Sequence, residues 1–141
     1  MKAKIWINSL IGAILSLLGF GSFGCGMYAC PYGDLTVDGA VLDENGKPLP
    51  HIQVVRRSGW RDDAGTQYWE PYADTLYTSD EGQFHRYVQG DFPHEYHMLI
   101  ANDTNSTYQS DSVMVKVEYK GGHSWYRGKA YITNVFLLKK K

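Results

Sequence analysis

The sequence predicts an all-β protein, an antiparallel seven-stranded β-sandwich preceded by an N-terminal apolar signal helix. Three observations predict it. Apolar and polar residues alternate with period two in several short segments, as in strands with one buried face. Turn residues punctuate those segments at short intervals, and helical periodicity is hard to find beyond the first residues. A small barrel is the structural alternative. The 141 residues suit one domain. At 43% hydrophobic and 21% charged the chain is too apolar for disorder. A formal net charge of −1 gives no basic surplus for nucleic acid. Two cysteines make neither a dense disulfide scaffold nor a four-cysteine cluster.

The chain opens with Lys2 and Lys4, followed by a mostly apolar run from Ile5 to Phe23, and no Asp or Glu occurs before Asp34. A basic start, an apolar middle and then small residues are the layout of a secretory signal. Ser22-Phe23-Gly24-Cys25 resembles a bacterial lipoprotein signal, in which the cysteine becomes the lipidated first residue. That resemblance implies lipid attachment at Cys25, anchorage in a membrane, most simply the outer one, and a place in the cell envelope. A plain cleaved signal, a retained helix of roughly 20 apolar residues, and pairing of Cys25 with Cys30 are the other readings. The expected organisation is a signal over 1–24, a tether over 25–34 and a sandwich over 35–141. Cleavage before Cys25 removes 24 of the 141 residues and leaves 117. Lys2 and Lys4 depart with the signal, so 12 Lys and Arg face 15 Asp and Glu, a formal charge of −3.

The first strand is expected at 35–42, where Leu35, Val37 and Val41 alternate with Thr36, Asp38 and Ala40, and Gly39 sits in the apolar series. Asn45-Gly46 supplies a tight turn, and Pro48 and Pro50 forbid a helix. Ile52 to Arg57 reads as the returning strand of a hairpin-like unit. The stretch 58–73 reads as a long loop, or as two short strands with a bulge. Asp74–Thr78 and Gln83–Val88 flank the turn Ser79-Asp80-Glu81-Gly82, with Phe84, Arg86 and Val88 on one face. Further strands are expected at 95–101, at 112–119 with Val113, Val115, Val117 and Tyr119 on one face, and at 130–138.

VDGAVLDENGKPLPHIQV at 37–54 and TSDEGQF at 78–84 resemble two signatures of carboxypeptidase regulatory-like domains, which are transthyretin-like, Ig-like sandwiches. MYACPYGDLTVDG at 27–39 and WYRGKAYITNVFLLKK at 125–140 are similar to the radical-SAM-associated lipoproteins of Bacteroidetes-type bacteria. The association in that family name is one of genome neighbourhood and implies no activity. It brings in an alternative role, substrate of a neighbouring radical-SAM enzyme that modifies Tyr28 or Cys30 within 28–32.

No constellation for catalysis stands out. The chain is therefore expected not to be an enzyme and to need no cofactor or metal. His94-Glu95-Tyr96-His97 is the densest histidine stretch, but in a strand its two histidines point to opposite faces, which suits surface polarity better than zinc. Asn102, Asp103 and Asn105 read as a capped polar turn in preference to a calcium loop. The functional lead is aromatic. Trp60, Tyr68, Trp69 and Tyr72 in one loop and Trp125 in another are expected to contact a protein partner or glycan, unless they form a buried satellite cluster. The expected role is a non-catalytic envelope lipoprotein that works as a binding module.

Overall fold

In a computed structural model, residues 30–141 are described; they contain eight strands and no helix. The signal, Cys25 and Tyr28 lie outside the described residues. The strands are β1 (Tyr32–Asp43), β2 (Gln53–Arg61), β3 (Gln67–Tyr77), β4 (Gln83–Asp91), β5 (Tyr96–Asn102), β6 (Asp111–Lys116), β7 (Lys120–His123) and β8 (Tyr126–Leu138). They form two four-stranded sheets, ordered β4-β1-β8-β7 and β3-β2-β5-β6. The all-β sandwich is as expected, with two differences. The strand expected at 112–119 ends at Lys116 as β6, and an eighth strand not expected from the sequence, β7, follows at Lys120–His123 in the other sheet. The sandwich is also not wholly antiparallel, because β1 runs parallel to β8 along nearly its whole length.

Alternation places the core. Leu35, Val37 and Val41 of β1, Phe84 of β4 and Ala130, Ile132, Phe136 and Leu138 of β8 face Val54 of β2, Leu76 of β3 and Leu99 and Ala101 of β5. Phe84 and Phe136 pack with ring centroids 6.4 Å apart. Gly39 interrupts the apolar series for a steric reason. A Cβ there would meet the Asn134 carbonyl at 2.0 Å and the Phe84 ring at 2.3 Å.

The two turns expected to close hairpins instead carry the chain between sheets. β1 pairs with β4 and β8, whereas β2 pairs with β3 and β5. Likewise β3 and β4, joined by Ser79–Gly82, lie in different sheets. The Asp43 carboxylate accepts hydrogen bonds from the Asn45 and Lys47 amides at 2.8 and 2.9 Å, and Gly46 takes a φ of 81°. The local turn chemistry is thus as expected, and only its destination differs. Leu49 and Ile52 follow the first turn into the core. Buried Thr78 ties the two arches together. Its hydroxyl donates to the Leu49 carbonyl at 2.7 Å and accepts from the Ile52 amide at 2.9 Å.

Asp103 is 7% exposed and accepts from the amides of Asn105, Thr107 and Tyr108 at 2.9 to 3.1 Å. The 102–105 segment is therefore a self-capped polar turn.

Candidate functional site

The inward face of the β2-β3-β5 sheet changes character along its strands. Around Val54, Leu76, Leu99 and Ala101 it is apolar core. One pleat further along, the inward positions are Arg56, Asp74 and His97. At the end of the sandwich come Trp60 and Tyr68, directly paired across β2 and β3. The long loop expected at 58–73 is in fact the extended end of this hairpin, with a register shift between Arg57 and Gly59. The bulged-strand alternative describes it better.

The exposed end carries a row of rings. Trp60 stacks on Tyr68 at 5.6 Å and 15° and on His94 at 5.9 Å and 20°, and His94 meets Phe92 at 4.7 Å. Trp60 is 42% exposed and Phe92 48%, so the row is a surface feature. The Tyr68 contact is local to the β2–β3 pair, whereas the His94 contact joins β2 to the 92–95 connection, far along the chain.

Beside the row lies a cleft of about 380 Å³ lined by Arg56, Ser58, Glu70, Tyr72, Ala73, Asp74, Asp91, Phe92 and His94. Arg56 is 6% exposed and has ion-pair contact with Asp74 at 3.8 Å; it also donates to the Ser58 hydroxyl at 3.1 Å. Asp74 also holds Arg86 of β4 at 3.2 Å, which ties the two sheets at their open edge. His94 donates through Nε2 to Glu70 at 3.0 Å. The Nε of Arg56 and the Nδ1 of His94 are buried without a hydrogen-bond partner in the protein. Buried polar groups are almost always partnered, so such exceptions call for explanation.

His97 is fully buried. Its Nε2 faces the His94 carbonyl at 2.9 Å, which fixes Nε2 as the protonated nitrogen and leaves Nδ1 to accept from Arg56 at 3.4 Å. Burial, followed by the adjacent Arg56 charge, lowers its pKa to about 4. The surface reading of His94 and His97 is thus corrected. His94 stands just before β5, so strand alternation does not apply to it, and both side chains fold inward. His85 and His123 are exposed as expected. Among the described residues, no three His, Cys, Asp or Glu side chains converge in a way that could hold a metal ion.

The aromatic candidates therefore separate. Trp60 and Tyr68 stack, and Tyr72, 82% exposed, stands at the cleft rim. Trp69 alternates to the other face of β3, where its ring lies against Gly59: a Cβ at that glycine would come within 2.7 Å of it. Trp125 lies in the turn between β7 and β8 of the other sheet, and its carbonyl accepts the Tyr32 amide at 3.0 Å. Of the tether candidates, Cys30 is described and is not a free thiol. Sequence reasoning missed Phe92, Glu70, Asp74, Asp91 and Arg56. The one available signal was Arg56, which interrupts the inward series after Val54 with a charge.

A second cleft of about 630 Å³ adjoins the other side of the 92–95 connection, lined by Pro93, Glu95, Lys116, Val117, Glu118, Tyr119 and Arg127. Its charged side chains of both signs are exposed. Among the described residues no helix is long and apolar enough to cross a membrane.

No protein-family model matches the chain, and no curated protein matches it. Solved structures do resemble it. Against 3-chlorocatechol 1,2-dioxygenase from Rhodococcus opacus 1CP the TM-score is 0.51 at 14% identity, covering 77% of this chain and 60% of that one. For chlorocatechol 1,2-dioxygenase from Pseudomonas putida the values are 0.52, 8%, 77% and 61%. For catechol 1,2-dioxygenase from Acinetobacter sp. ADP1 they are 0.50, 11%, 76% and 52%. The chain thus spans between half and two thirds of the length of these enzymes, and at such identities the likeness shows the fold alone. It nevertheless corrects the expectation that the chain is not an enzyme. Sandwiches of this shape occur within dioxygenases, so the lack of a linear catalytic motif does not exclude activity. Fold and chemistry vary independently.

Proposed function

We propose that this chain is a cell-envelope lipoprotein, anchored through lipid on Cys25. A short tether follows the 1–24 signal, and a transthyretin-like, carboxypeptidase-regulatory-like sandwich binds an envelope protein or glycan. The observation that carries the binding role is the ring row Tyr68-Trp60-His94-Phe92, exposed at Tyr68, Trp60 and Phe92, beside a cleft with buried polar side chains. Rigid aromatic groups with a wet edge are favoured at contact surfaces, because they bury much area for little lost side-chain freedom. The anchor is supported by the basic and apolar opening of the chain and by Gly24-Cys25 at its end. One acyl chain anchors only marginally, so multiple acylation is expected.

Two measurements test this. Intact mass of the membrane-extracted protein is expected to show a diacyl or triacyl increment on a chain beginning at Cys25, and Cys25→Ser to release the protein from membranes. An unacylated chain altered at Tyr28 or Cys30 would overturn the anchor and identify a substrate of a modifying radical-SAM enzyme. For binding, Trp60→Ala is expected to abolish photo-crosslinking to envelope material from a probe at position 72, with the thermal midpoint nearly unchanged. A large loss of stability would instead make Trp60 part of the core.

A further inference from the structure

We propose that the cleft beside the ring row receives a neutral, hydroxyl-rich sugar unit, the terminal residue of a glycan. This rests on the reading of the aromatic end as a binding surface and names the ligand it takes. Charge decides the class first. Glu70, Asp74 and Asp91 line the cleft and oppose an anion. A cation is poorly served too, since each carboxylate already has a partner. Asp74 holds Arg56 and Arg86, Glu70 holds His94, and Asp91 accepts the Phe92 amide at 2.9 Å. Arg56 also places positive charge at the floor, and His94 a ring N–H donor.

What remains is a set of half-used acceptors beside donors. An ionised carboxylate offers about four lone-pair sites, so each keeps acceptor capacity after its present partner. A sugar hydroxyl donates and accepts at once, which suits such a mixed wall. The apolar partners are in place as well. Tyr72, 82% exposed, and Phe92, 48% exposed, offer flat faces to the C–H face of a pyranose ring. A volume of about 380 Å³ lies within the range of small-molecule sites and holds a terminal unit, not a long chain. The buried, unpartnered Arg56 Nε and His94 Nδ1 belong to the same floor. Slight rotation of either side chain on ligand entry would supply the missing partner.

Calorimetric titration of the full-length, detergent-extracted protein with maltohexaose, cellohexaose, xylohexaose, laminarihexaose, mannohexaose and chitohexaose tests this. At least one is expected to bind, with affinity reduced tenfold or more in Tyr72→Ala and in Glu70→Gln and unchanged in Tyr131→Ser, on the far sheet. Tyr72 is so exposed that its truncation leaves the fold intact, which keeps the test informative if Glu70→Gln destabilises. Binding that ignores both cleft variants overturns the assignment, as does the absence of binding to all six. In the latter case, Trp60-dependent crosslinking to an envelope protein leaves the binding reading standing with a protein ligand. Loss of that crosslinking as well removes both.

Discussion

Arg56 marks where the interior of this protein stops being core. It continues the inward series of β2 after Val54, yet it is charged and 6% exposed, with Asp74, Ser58 and His97 around it. Burial, and after it the Arg56 charge, hold His97 neutral. The consequence for stability follows from proton linkage. Unfolded, His97 takes a proton near pH 6.5; folded, it does so only near pH 4. The unfolded state therefore binds more protons in that window, and stability falls as pH drops through it, by about 3 kcal/mol. Urea midpoints at pH 7 and pH 4.5 are expected to show this, and His97→Gln is expected to flatten the dependence. Thr78 is a second such residue, remote from the site. Thr78→Val leaves the Ile52 amide without its hydroxyl partner and is expected to cost about 2 kcal/mol in chemical denaturation, with the valine methyl filling the same space.

At the scale of elements, the two arches and the β1–β8 pair define the sandwich. Gly39 sits where β1 is flanked by β4 and β8, and no side chain fits between the Asn134 carbonyl and Phe84. Gly39→Ala is expected to destabilise by at least about 2 kcal/mol, the scale of overpacking in a close-packed core, as read from the shift in denaturant midpoint. A smaller effect would mean that β1 and β8 slide apart freely. The strands themselves were legible in the sequence. Leu35-Val37-Val41 and Phe84-Val88 alternate as strands with one buried face do, and Asn45-Gly46 and Ser79–Gly82 were recognisable as turns. Their destinations were not. A tight turn chemistry fits a hairpin within a sheet and an arch between sheets equally well, since both need one residue with positive φ. Tyr68 and Trp60 were likewise visible as aromatics, while Trp69 was grouped with them until strand alternation put it on the opposite face.

As a whole molecule, residues 31–141 form a compact unit of their own. A chain lacking residues 1–30 is expected to unfold in one cooperative transition, with a thermal midpoint within a few degrees of the full-length protein; a broad or absent transition would contradict this. The candidate site belongs to this scale too. Trp60 comes from β2, Tyr68 and Asp74 from β3, Arg86 from β4 and His94 from the connection to β5. The sequence by itself determined the all-β class, most strand positions, the turns at 43–48 and 79–82, and the aromatic content of one region, because period-two burial and turn φ values are local properties. Only the tertiary structure decided which strands share a sheet, that β1 runs parallel to β8, that His94 and His97 are buried, and that a cleft opens between Tyr72 and Phe92. Those outcomes depend on pairings between residues far apart in the chain, and alternation constrains which face a residue takes without naming the strand it faces.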